Sequence, residues 1–137
     1  MDFKLTEKQS TLQSLAHEFA EREIRPIARE REKIEDPAER FPWDVVEKGS
    51  RLGLRTLALP EEMGGAGADA LTLCLVGEEI AWVDPGIAVT FDQTWKFSYL
   101  LARLSTEQQR TRHLPASLAY HRSPPALPLP HAPPRQP

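Results

Sequence analysis

Leu59-Pro60-Glu61-Glu62-Met63-Gly64-Gly65-Ala66-Gly67-Ala68-Asp69 is the stretch that most constrains what this chain can fold into. A proline and three glycines break any regular element there, and long helical patterns lie on either side. The chain must turn back on itself at this hinge, so the two halves pack as one helical core. Gly64, Gly65 and Gly67 allow positive φ and close backbone approach, and Asp69 then caps the next helix.

Before the hinge, Thr6 and Gln9 stand at capping-box spacing, and Leu12, Leu15, Ala16, Phe19, Ala20, Ile24 and Ile27 recur at helical intervals. The pairs Glu18/Arg22 and Glu21/Arg25 are four residues apart and support a solvated opposite face. Pro26 predicts a kink or a restart of this helix, because it lacks a backbone donor. The charged run from Arg29 to Arg40 reads as leading into a loop at Asp36-Pro37. Pro42 is expected at the first position of a second helix bearing Trp43, Val46 and Leu52, with Gly53 as its stop. Leu54, Leu57 and Leu59 are expected in a short extended or irregular segment.

After the hinge, Leu71, Cys74, Leu75, Val76, Ile80, Trp82 and Val83 leave little polar surface, which predicts a central third helix. Asp84-Pro85 supplies an N-cap and a first-position proline for a fourth, carrying Ile87, Val89, Phe91, Trp95, Tyr99 and Leu100. Ser105 and Thr106 open a short fifth helix expected to end near Leu114-Pro115. Seven of the 13 prolines fall in the last fourteen residues, so a disordered or polyproline tail is expected over 120–137. Its Pro-x-x-Pro spacings arise readily in a tract of that composition. The fold class is therefore all-α, a four- or five-helix domain over 1–119 with a disordered basic tail.

Charge and cysteine content narrow the function. The net charge of −3 excludes a whole-chain argument for nucleic acid, although no Asp or Glu follows Glu107 while Arg110, Arg112, Arg122 and Arg135 do. Residues 1–107 then carry −7, so the two parts differ in character. Cys74 is the single cysteine, which excludes an intramolecular disulfide and fits a reducing compartment. The polar start has neither a secretory nor a transit pattern, and no apolar run is long enough to span a bilayer, so a cytoplasmic protein is expected.

Catalytic signals are sparse. Gly64-Gly65-Ala66-Gly67 before a helix is compatible with phosphate binding, but the absence of a following Lys-Ser/Thr or a preceding strand favours a structural turn. His17, His113, His121 and His131 do not fall at metal-ligand spacing. Asp92 and Lys96, four apart, form either a helix-stabilising pair or the border of a ligand cavity. Phe91 and Trp95 read more readily as core than as cofactor contacts.

The ordered pattern resembles the N-terminal helical domain of the acyl-CoA dehydrogenase family. The residues that carry the resemblance are Leu5-Thr6-Glu7-Lys8-Gln9, Phe19-Ala20, Ile24-Arg25-Pro26, Phe41-Pro42, Leu52-Gly53-Leu54 and Leu59 to Gly67. They continue with Glu78-Glu79-Ile80-Ala81, Val83-Asp84-Pro85, Ser105 to Gln109 and Leu114-Pro115. The resemblance implies a flavoenzyme that uses FAD to introduce an α,β double bond into an acyl-CoA thioester, assembled as a homo-oligomer. In such an enzyme the first domain supplies a wall of the acyl-chain cavity, which points to Ala88, Val89, Asp92 and Trp95. No residue matches the family's catalytic glutamate, and the threonine-glutamate-proline and glycine-serine-aspartate motifs of its β-domain are missing.

Loss of the family pattern, loss of acidic residues and onset of proline coincide near residue 119. A truncated or frameshifted reading, inactive alone, is therefore expected, and translating the coding DNA in the other frames checks it. A non-catalytic interaction module, or a fragment without selected function, is the alternative.

Overall fold

The structure, a computed structural model, describes residues 4–118; burial and side-chain contacts are described through residue 114. The chain start, Met1-Asp2-Phe3, and the proline-rich segment 119–137 lie outside the described residues, as do His121 and His131. Within them every regular element is helical, so the domain is all-α.

α1 (Glu7–Phe19) opens on the expected capping box: Thr6 Oγ1 accepts from the Gln9 amide, and Gln9 Oε1 accepts from the Thr6 amide. Ala16, Phe19, Ala20 and Ile24 form its buried stripe. The response to Pro26 is a π-helical turn over Ala20–Ile24, in which the Arg25 amide reaches the Ala20 carbonyl. In a regular α-helix the proline ring would press on the carbonyl four residues back; the wider turn relieves that contact, and α2 (Arg25–Glu32) restarts behind it.

The charged stretch after α2 is less open than its composition predicts. Asp36 caps a single turn, α3 (Pro37–Arg40), and the Arg40 side chain folds back to donate to the carbonyls of Ile34 and Glu35. Pro42 is the N-cap residue of α4 (Trp43–Arg51), one position earlier than expected. Its φ of −84° and ψ of 71° are not helical, and the Trp43 amide instead bonds the Phe41 carbonyl. Val45 and Val46 provide the buried face of α4, while Leu52 is left largely exposed. Gly53, at φ 82°, ends the helix in the left-handed conformation as expected.

The segment after Gly53 is not extended. Leu54–Thr56 forms a 3-10 turn that buries Leu54 and Leu57 against the main core. A tight turn brings both leucines inward within four residues, which an extended segment would place on the same side only at alternate positions. Leu59 belongs to a smaller cluster with Ala102, Leu114 and Met63.

α5 (Ala70–Ala81) packs against both α1 and α6 (Pro85–Leu104). Its inner face is Thr72, Val76 and Ile80, whereas Leu71, Cys74 and Trp82 face outward. The expected central position is observed, and the helix's apolar surface is divided between the core and an exposed side. Gly49 lets α4 approach the centre, where a Cβ would stand 2.6 Å from the Phe91 ring and 2.9 Å from the Phe19 ring. Those rings meet edge to face at 6.1 Å between centroids. α7 (Glu107–Leu118) begins at a second capping box, Thr106 with Gln109, and runs through Pro115 rather than ending there.

Candidate functional site

The hinge glycines are the phosphate cradle that the sequence offers as a candidate. Gly64 and Gly67 have φ of 83° and 58°. Gly65 has an ordinary φ, yet a Cβ there would fall on the Leu59 carbonyl, so its requirement is space. The amides are already engaged: Gly64 donates to Glu61, Gly65 to Pro60, and Gly67 to Leu59 at 2.7 Å. Lys8 of α1 ties the loop down, donating to the Ala66 carbonyl at 2.6 Å and to Glu61 at 2.8 Å. A phosphate needs free, converging N–H groups, so this loop is a structural turn.

The helix that follows offers no anion site either. The Asp69 carboxylate accepts from the Thr72 amide at 2.8 Å and from the Thr72 hydroxyl at 2.5 Å, placing negative charge at the N-terminus of α5. Those bonds, the hydroxyl's first, hold the Asp69 carboxyl below its ordinary range. Asp84 does the same at α6, accepting from Gly86 and Ile87. The N-termini of α5 and α6 are therefore occupied by their own carboxylates. No group of three or more His, Cys, Asp or Glu among the described residues stands ready to hold a metal ion.

The four cavity candidates all lie on α6, but not on one surface. Ala88 is buried in the main core, and Trp95 is only 3% exposed. The Trp95 indole Nε1 donates to the Leu54 carbonyl at 2.6 Å, locking α6 to the 3-10 turn 41 residues earlier. Val89 is 54% exposed, and the Asp92 carboxylate is 40% exposed. Asp92 accepts from Lys96, so the (i, i+4) pair is formed. One set, Val89 and Asp92, thus stands at the outer surface; the other, Ala88 and Trp95, seats the helix from inside.

Two features were not legible as site elements in the sequence. His17 Nδ1 meets Glu79 Oε2 at 2.9 Å and Gln13 donates to Glu79 Oε1, a polar clamp between α1 and α5. Arg55 is buried without a counter-charge among the described residues, and its place after Leu52-Gly53-Leu54 contains no signal of that. A cavity of about 220 Å³ also opens between α2, α3 and the start of α6, with Arg31, Arg40, Phe41 and Ile87 among its walls.

A self-capped helical domain with a long helix that starts at Asp84-Pro85 defines the class. The chain belongs to the acyl-CoA dehydrogenase family: the model of its N-terminal domain matches residues 6–120. The short-chain-specific acyl-CoA dehydrogenase of Clostridium acetobutylicum is 35% identical over 115 residues, covering 83% of this chain and 29% of the relative. A probable acyl-CoA dehydrogenase of Bacillus subtilis is 30% identical with the same coverage. A chain from the solved structure of the electron transferring flavoprotein of Acidaminococcus fermentans is 31% identical and superposes with a TM-score of 0.60, over 74% of this chain and 30% of that one. The chain spans less than a third of the length of the curated relatives it matches.

Proposed function

We propose that this domain serves FAD-dependent α,β-dehydrogenation of an acyl-CoA thioester by supplying a rigid wall of the acyl-chain cavity rather than the reacting groups. The observation that carries the reading is α6 itself. It is anchored from inside by Phe91 and by the Trp95–Leu54 hydrogen bond, yet presents exposed Val89 beside Asp92 on its outer side. An apolar side chain on a helix seated from inside in this way suits a surface against which an alkyl chain is measured. Ala88 and Trp95 act in this reading by holding α6 in place.

The chemistry of the reaction, proton abstraction by a carboxylate and hydride transfer to FAD, is assigned to residues outside this domain. Family membership of 6–120 supports flavin and acyl-CoA as the cofactor and substrate of the whole enzyme, and a homo-oligomer as its assembly.

The first test is to mix the purified chain with excess FAD, remove free flavin by gel filtration and record the visible spectrum. The expected result is no co-eluting flavin and no acyl-CoA turnover. Co-eluting flavin with turnover overturns the assignment of chemistry elsewhere. The wall is tested separately, by Val89→Phe in an enzyme that contains this domain with the remaining family domains. Preference should move toward shorter acyl chains, and unchanged preference removes Val89 from the cavity.

A further inference from the structure

Among the described residues, Arg55 is the one buried arginine, and none of them compensates its charge. Several other arginines are engaged, Arg25 with Glu21, Arg31 with Asp44 and Arg51 with Glu47, while Arg40 rests on two carbonyls, and Arg29 and Arg112 are exposed to solvent. Arg55 is 8% exposed, and none of the described residues gives its guanidinium a hydrogen bond, an ion pair or a ring contact. Burial pulls it below the ordinary arginine range. Arginine nevertheless stays charged at neutral pH, so an uncompensated cation is held inside the domain.

Its setting is rigid. Arg55 sits in the 3-10 turn Leu54–Thr56 between the end of α4 and α6, flanked by fully buried Leu54, whose carbonyl is held by Trp95. Among the described residues no side-chain nitrogen or oxygen sealed from solvent lacks a partner, so the unpaired nitrogens of Arg55 must retain contact with solvent. A largely buried arginine whose unpaired nitrogens still reach solvent is suited to receive an oxyanion.

We propose that Arg55 binds a carboxylate that none of the residues described here supplies. A carboxylate matches the planar fork with two parallel bonds, and its single charge balances the single buried cation; a phosphate dianion would leave an excess negative charge in the same place. The carboxylate belongs either to a free small acid or to an acidic side chain of a docking segment. The proposal is independent of the acyl-chain wall on α6, and it stands or falls without flavin.

The test titrates the chain with sodium acetate against sodium chloride at constant ionic strength, reading both the thermal midpoint and the Arg55 Nε–Hε NMR resonance. Acetate at about ten times its dissociation constant should raise the midpoint by about 5 °C, with the Arg55 resonance moving along the same saturation curve. Arg55→Met should fold at least as stably without acetate and lose the response. The Nε resonance of the unaltered chain decides the matter if that variant does not fold. Repeating the titration with N-acetyl-glutamate α-amide separates the two sources: tighter binding of acetate indicates a free acid, and tighter binding of the blocked glutamate a side chain. An Arg55 resonance unmoved by either ligand overturns the proposal, as does an equal midpoint response in Arg55→Met.

Discussion

Trp95→Phe keeps an aromatic ring in the core and deletes one donor. The Leu54 carbonyl, in a fully buried residue, then loses its indole partner, which should cost about 1–3 kcal/mol in urea unfolding. A loss below 0.5 kcal/mol would mean that α6 is not seated through this bond. The hinge glycines separate two physical demands. Gly64→Ala meets open space but a left-handed φ, and should cost about 1–2 kcal/mol. Gly65→Ala meets the Leu59 backbone, which cannot step aside as a side chain can, and should cost more than about 2 kcal/mol. Equal losses at the two positions would contradict this division. The sequence shows all three glycines but not which requires conformation and which requires room, because that distinction depends on where Leu59 passes.

At the scale of the element, the caps were the most legible feature. Thr6, Asp69 and Asp84 all accept bonds from the amides their spacing predicts, because a capping bond involves only residues within three positions. Asp69 also makes acid stability specific. Its folded pKa lies below the unfolded value, so its contribution is complete above the unfolded carboxylate range and is lost as pH falls through the folded value. Stability should therefore decline below about pH 4, and Asp69→Asn, which keeps a capping oxygen, should make the decline shallower in denaturant melts at pH 4, 3 and 2. An unchanged slope would remove Asp69 from the acid transition. Less legible was which side of the central third helix is covered: Leu71, Cys74 and Trp82 face out. Composition reports how apolar an element is, whereas burial depends on how many neighbours reach it, and only α1 and α6 pack extensively on α5.

For the whole domain, exposed apolar surface is the dominant property. Trp82 is 75% exposed and Leu104 78%, with Leu71, Val89, Tyr99 and Leu100 each about half exposed. Side chains of this size raise the free energy of the dispersed chain relative to any state that covers them. Concentration-dependent self-association in light scattering is the expected behaviour, and Trp82→Gln with Leu104→Gln should reduce it while moving unfolding stability by about 0.5 kcal/mol or less. Association unaffected by the pair would place the sticky surface elsewhere.

The all-α class, the capped helix starts, the break at Pro26 and the hinge were determined by sequence alone, since each follows from backbone chemistry and spacing within a few residues. Family membership was legible in the same way, as an order of short local motifs across residues 6–120. Tertiary structure alone divided the α6 candidates into inward Ala88 and Trp95 and outward Val89 and Asp92, and left Arg55 buried with no ion pair among the described residues. Those outcomes depend on contacts across tens of residues, such as Trp95 on Leu54, and no local period contains the position of a partner that far along the chain.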